Sequence, residues 1–137
     1  GKGRPRVVTV GNRRMAFTPE KTASYENLIK LEYQRQCDCA GFPDQQVRMD
    51  IKAYYALSKS DSKRRRAAKL SGAIRPTKKP DCDNIGKIVA DSLNGIAYKD
   101  DAQIVSMVIE KYYAEIPRVE VEITEVRQHE DLHTVHA

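Results

Sequence analysis

The sequence predicts an α/β (α+β) fold, a mixed and largely antiparallel sheet with two to three helices. Three observations predict it. Apolar and polar residues alternate over 46–56, 104–113 and 118–126, the period of half-buried strands. Apolar residues recur instead at i, i+3 and i+4 in two stretches ending near residues 39 and 93, the period of helices packed by one face. With 137 residues, 40% apolar and 31% charged, the chain has core material for one domain, placed at 1–126, and a polar tail at 127–137 expected to fray.

Taken in order, residues 7–10 (Val-Val-Thr-Val) read as a strand, Gly11-Asn12 as a turn and Met15-Ala16-Phe17 as the return strand of a hairpin. Thr18-Pro19-Glu20 announces a helix, with an N-cap hydroxyl, a proline at the first helical position and an acid in the first turn. That helix is expected to reach about Cys39 and stop at Gly41, burying Tyr25, Leu28, Ile29, Tyr33 and Gln36. Over 46–56, Val47, Met49, Ile51, Ala53 and Tyr55 share one strand face, opposite Arg48, Asp50 and Lys52. Residues 58–72 form a basic helix ending on Gly72, suited to a C-cap. An extended connector follows at 75–80, since a residue before proline is pushed out of the α region. Residues 83–93 form a helix with Ile85, Ile88, Val89 and Leu93 on one face, stopped by Asn94-Gly95. Residues 104–113 and 118–126 then read as an antiparallel strand pair joined around Ile116-Pro117.

Composition excludes several functions. No apolar run approaches the roughly 18 residues of a membrane span, and none follows the start to form a signal peptide, so a cytoplasmic protein without a membrane partner is expected. Three cysteines, Cys37, Cys39 and Cys82, are an odd number and read as reduced thiols. All three histidines, His129, His133 and His136, lie in the tail, so histidine-based nucleophilic or zinc chemistry is disfavoured. Carboxylate and lysine chemistry remains. With 24 Lys+Arg against 19 Asp+Glu the net charge is +5, a modest preference for a polyanionic partner.

The chemistry concentrates in Pro80-Asp81-Cys82-Asp83-Asn84-Ile85-Gly86-Lys87, where two carboxylates flank one residue as an extended segment turns into a helix. Lys99-Asp100-Asp101 adds two acids before a strand, within reach of the first pair if that strand lies beside the helix. Clustered carboxylates repel unless a cation lies between them, and an all-oxygen donor set favours Mg2+, with Mn2+ as a substitute, over zinc. An EF-hand fails, because Ile85 and Ser92 occupy its fifth and twelfth positions. Two plainer readings stand beside the metal site. Asp83 serves as an N-cap, or Lys87 belongs to an i,i+4 ion-pair ladder with Asp83 and Asp91. The basic run Lys63, Arg64, Arg65, Arg66 and Lys69 is either a solvated helix face or a surface that tracks DNA.

The central motif, with Asp91-Ser-Leu-Asn-Gly-Ile96 and Lys99-Asp-Asp-Ala-Gln-Ile-Val105, resembles the RusA family of Holliday junction resolvases. Gly1-Lys-Gly-Arg-Pro-Arg6 and Thr18-Pro-Glu-Lys-Thr22 are similar to its Gram-positive and phage branch. Pro80 departs from the basic residue that some members carry there. The resemblance implies that Asp81, Asp83 and Asp101 are the metal-binding catalytic acids, Asp100 an adjacent ligand, and Lys87 the essential lysine. It implies a homodimer that nicks two strands of a four-way DNA junction symmetrically, with Mg2+ and no organic cofactor. Lys2, Arg4, Arg6, Arg13, Arg14, Lys63, Arg64, Arg65, Arg66, Lys69, Lys78, Lys79, Asn84 and Lys111 are the candidate DNA contacts. Two rivals are a junction- or duplex-binding protein without catalysis, against which the acid set argues, and a Mg2+-dependent enzyme of small phosphoesters, against which the basic segments argue.

Overall fold

A computed structural model describes residues 6–10, 22–36 and 41–127. In chain order these form β1 (Arg6–Val10), α1 (Thr22–Gln36), β2 (Val47–Ala56), α2 (Lys63–Leu70), α3 (Cys82–Leu93), a 3-10 turn (Asp101–Gln103), β3 (Ile104–Ala114) and β4 (Arg118–Glu125). The sheet order is β1-β4-β2-β3. β4 runs antiparallel to both neighbours, and β2 and β3 are parallel. The expected α+β class, mixed and largely antiparallel, is what the chain adopts.

The period-2 pattern of β2 decides where the core lies. Val47, Met49, Ile51 and Ala53 are at most 1% exposed, while Arg48 and Lys52 on the other face are exposed. Val119, Val121 and Ile123 of β4 continue this inner face, and α1 and α3 close it with Ile29, Tyr33, Ile85, Val89 and Leu93. On α3 the predicted stripe Ile85, Ile88, Val89 and Leu93 is the buried one. α3 also lies close on β3, because a Cβ on the buried Gly86 would stand 2.6 Å from Ile109 Cδ1 and 3.0 Å from Met107 Sδ.

Four expectations need correction. The strands at 104–113 and 118–126 do not pair with each other, because β2 lies between them. Their three-residue link, 115–117, spans two strand spacings across the end of β2, about 10 Å. β2 lies inside the sheet beside β4, with four residues of its inner face, Val47, Met49, Ile51 and Ala53, at most 1% exposed. Gln36 is exposed and donates to Glu32 Oε2 at 2.9 Å, so the buried stripe of α1 ends at Tyr33. The basic helix begins at Lys63, not Ser58, because Ser62 is its N-cap and accepts from Arg65 N at 3.1 Å. α3 begins one residue early, at Cys82. Gly72 does sit just beyond the end of α2, at φ +88°, where a side chain would be strained. The return strand at Met15-Ala16-Phe17, the helix start at Thr18-Pro19, Cys37, Cys39 and the tail histidines lie outside the described residues. The described partner of β1 is β4, in the register Val8↔Val121.

Candidate active site

Asp81 occupies the N-cap position of α3, in extended backbone at φ −71° and ψ 157°. Its carboxylate makes no capping bond; it meets the Lys79 ammonium at 3.5 Å, with both side chains well exposed. Asp83 falls in the first helical turn, not at the cap, so the N-cap reading does not account for it. Asp83, Asn84 and Lys87 are all exposed. Among the described residues none of the three has a side-chain hydrogen bond or ion pair, so Lys87 forms no ladder with Asp83 or Asp91. A helix N-terminus that needs acceptors, with two acids at hand and neither used as a cap, has carboxylates available for something outside the fold.

The second acid pair stands on a firmly built loop. Asp100 caps the 3-10 turn by accepting from Ala102 N at 2.9 Å, and Gln103 Oε1 accepts from Lys99 N and Asp100 N, each at 2.9 Å. The same Gln103 donates through Nε2 to Phe42 O at 2.8 Å and Gln45 O at 2.9 Å, pinning the loop to the segment before β2. Asp101 is thus left to project without a capping duty. Partial burial, then the Asp100 carboxylate beside it, then Asp91, hold the Asp101 carboxyl above the usual carboxylate range. Gln103 and Asp91 are members of this site that the sequence reading did not assign. The Asp100-X-X-Gln103 capping-box spacing was the signal for the first, whereas Asp91 stands in the sequence only as an ion-pair candidate for Lys87 and as part of a family motif, its approach to Asp101 being tertiary.

One chain does not bring the two pairs together. α3 runs back along β3: the hydroxyl of Tyr55, paired with Tyr113 near the end of β3, donates to Pro80 O at 3.0 Å, whereas Asp101 immediately precedes β3 and senses Asp91 near the other end of the helix. The rise between Asp83 and Asp91 is about 12 Å. Among the described residues no three Asp, Glu, His or Cys side chains gather as a metal site.

The basic candidates divide by what they already touch. Lys63 and Arg64 are exposed at the start of α2, and Lys78 and Lys79 are exposed on the connector. Arg65 reaches Asp61 at 3.5 Å and Arg66 reaches Glu115 at 2.9 Å. Lys69 is turned into the fold. It is 6% exposed, bonds both oxygens of Asp61 at 2.8 and 3.0 Å, and lies 4.5 Å from the Tyr113 ring centroid. Lys111 donates to Lys78 O. The strand β1 starts at Arg6, while Lys2, Arg4, Arg13 and Arg14 lie outside the described residues.

An α+β domain that keeps acids and a lysine exposed on one helix, beside a basic connector, has the make-up of an enzyme acting on phosphodiesters. Comparison with known proteins gives the class as endodeoxyribonuclease, since the family Endodeoxyribonuclease RusA matches residues 1–124. The chain belongs to the RusA family. It is also 37% identical over 130 residues to the uncharacterized protein YqaN of Bacillus subtilis (strain 168), covering 91% of this chain and 89% of that one.

Proposed function

We propose that the chain is a divalent-metal-dependent, structure-selective endonuclease that resolves four-way DNA junctions by paired symmetric nicks, working as a homodimer with Mg2+. The observation that carries this reading is the exposed start of α3, which presents Asp81, Asp83 and Lys87 while using none of the three to cap or pair the helix. Exposed like charges held side by side are unfavourable unless a cation joins them. The donors are all oxygens, which suits Mg2+ or Mn2+, but one chain supplies only half a coordination sphere at each place.

A second copy would supply the other half. β3 is one of the two outer strands among the described residues, and Val105 and Met107 on it are 56% and 38% exposed. Arg75 Nε, by donating to Lys111 O at 2.8 Å, covers the far part of its edge, and among the described residues no strand pairs with the first part. Antiparallel pairing of two such edges about Met107 sets residue 104 of one copy opposite residue 110 of the other, with the 3-10 turn that carries Asp101 just beyond the end of the paired stretch, towards residue 113 of the second copy. In each chain Tyr113 is in register with Tyr55, whose hydroxyl holds the peptide before Asp81. Asp101 would then approach Asp81 and Asp83 of the second copy.

Bound between these acids, the ion supplies a Lewis acid for the scissile phosphate. The chain contributes the rest. Lys87 places an ammonium where it offsets charge developing on the phosphate. No histidine occurs before residue 129, so carboxylates are the available proton acceptors. Lys63, Arg64, Lys78 and Lys79, with Lys2, Arg4, Arg6, Arg13 and Arg14, hold backbone phosphates and so set register without reading bases. The test is incubation with Mg2+ and labelled four-way, flap and linear DNAs. Symmetric nicks confined to the four-way junction are expected; no cleavage with Mg2+ or Mn2+, or equal cutting of linear duplex, would overturn the proposal.

A further inference from the structure

A set of contacts outside the acid pairs holds the peptide from which Asp81 projects. The Tyr55 hydroxyl, at the end of β2, donates to Pro80 O at 3.0 Å. That carbonyl belongs to the peptide group whose nitrogen is Asp81's own. On the other side, Asp81 O accepts from Ile85 N at 3.0 Å, the first bond of α3. The Cα of Asp81 therefore lies between two anchored peptide groups. Upstream, Lys111 Nζ donates to Lys78 O at 2.5 Å while Lys111 O accepts from Arg75 Nε at 2.8 Å, so one residue of β3 fastens the connector at two points. The Lys111 and Lys78 ammonium groups stand 5.1 and 5.8 Å from the Tyr55 ring centroid, within reach of its negative face. The Tyr55 ring already packs against the core, so the hydroxyl adds direction to the connector, not burial.

We infer that Tyr55 and Lys111 are positioning residues for the Asp81 carboxylate, Tyr55 orienting the peptide before it and Lys111 fixing the connector, and that Lys111 is not a DNA contact. The inference rests on the reading of Asp81 as a metal ligand. Residues that orient a ligand change metal affinity or activity by about 10–100-fold when removed, because the ion must then organise the ligand itself.

The test compares Tyr55→Phe, Lys111→Met, Lys111→Arg and Asp81→Asn in the full chain. Tyr55→Phe and Lys111→Met should each raise the Mg2+ concentration for half-maximal single-turnover cleavage by about 10-fold or more. Junction affinity without Mg2+ should stay within about twofold and its salt dependence unchanged. Lys111→Arg, which keeps a donor, should recover most of the loss. If Lys111→Met instead weakens junction binding and lowers the salt slope by about one with the Mg2+ midpoint unmoved, Lys111 is a phosphate contact and the inference fails for it. A Tyr55→Phe chain melting more than about 10 °C below the parent makes that hydroxyl a structural bond, and the inference fails for Tyr55. Unmoved Mg2+ midpoints in both variants beside an inactive Asp81→Asn overturn the positioning roles alone. Full cleavage by Asp81→Asn overturns the metal-ligand reading beneath them.

Discussion

At the scale of single residues, Lys87 separates two accounts of the exposed face of α3. As a surface i,i+4 pair it would contribute about 0.3–0.5 kcal/mol, and alanine, the better helix former, would replace it quietly. It makes no such pair with Asp83 or Asp91. Lys87→Ala is therefore expected to melt within a few degrees of the parent, still bind junction DNA, and cut about a hundredfold more slowly in a single turnover; a rate above about a third of the parent's would return Lys87 to the surface. Lys87→Arg should recover little, since a planar guanidinium does not reproduce a point charge. Asp101 makes a prediction of the opposite kind. Its folded-state pKa is raised by burial, Asp100 and Asp91, so the folded chain holds that proton more tightly than the unfolded one. The resulting stability is present below the ordinary carboxylate pKa and lost as pH rises through the raised value. Asp100→Asn keeps an acceptor for Ala102 N but removes a charge. An NMR pH titration should then show Asp101 moving down towards the ordinary range, and an unmoved Asp101 would leave burial and Asp91 as the causes.

At the scale of elements, α2 shows how a charge run misleads. The run at 63–69 looks from the sequence like one basic surface, yet Lys69 faces inward onto Asp61 and Tyr113. Asp61 also accepts from Ser58 N, so the turn before the helix and the helix itself share one anchor. The Lys69 hydrogen bond is the first cause holding the Asp61 carboxyl below its usual range. That contribution is present above the ordinary carboxylate pKa and disappears as pH falls through the lowered one. Lys69→Met should lower Tm by on the order of 10 °C at neutral pH, because it leaves the carboxylate of a nearly closed site with only Ser58 N and the longer Arg65 contact. Junction affinity and its salt dependence should not change; a reduced salt slope in a well-folded Lys69→Met would restore Lys69 to the DNA surface. What was legible follows from the same physics. β2, β4 and α3 announce themselves because each buries a single face, so burial is written at period 2 or 3.6, whereas β3 alternates in sequence but is half-buried on both faces over most of its length. The boundary of α2 did not, because Ser62 sits in a polar run with several equally good caps. Strand order was hidden too: a three-residue link reads as a hairpin, and only the tertiary placement of β2 shows what lies between its arms.

At the scale of the whole molecule, a net charge of +5 coexists with exposed acids, Asp81, Asp83 and Asp100 among them. If roughly 6–10 phosphates are neutralised, junction affinity should fall by about 10³–10⁵ between 50 and 200 mM salt, and a flat response would remove the polyanion from the account. The arrangement of the acids makes a sharper demand. The family resemblance implies Asp81, Asp83 and Asp101 as one set, but a sequence does not say whether such a set closes within a chain or between chains. Here Asp83 and Asp91 are separated by about 12 Å of helix rise, and Asp101 senses Asp91. If two copies close the site, each site draws Asp81 and Asp83 from one copy and Asp101 from the other. Mixing Asp81→Asn with Asp101→Asn then has a definite consequence. Each variant alone has two defective sites per dimer. In the mixed dimer both substitutions fall in the same site, and the other site is wholly parental. Random exchange makes half the dimers mixed, so nicking should return to about a quarter of the parent's site number, as single nicks without paired resolution. A site closed within one chain predicts no recovery, because every chain in the mixture is then defective. With exchange verified by native mass spectrometry, failure to recover nicking above either variant alone would place the metal, if any, within a single copy and remove the β3 edge from the mechanism.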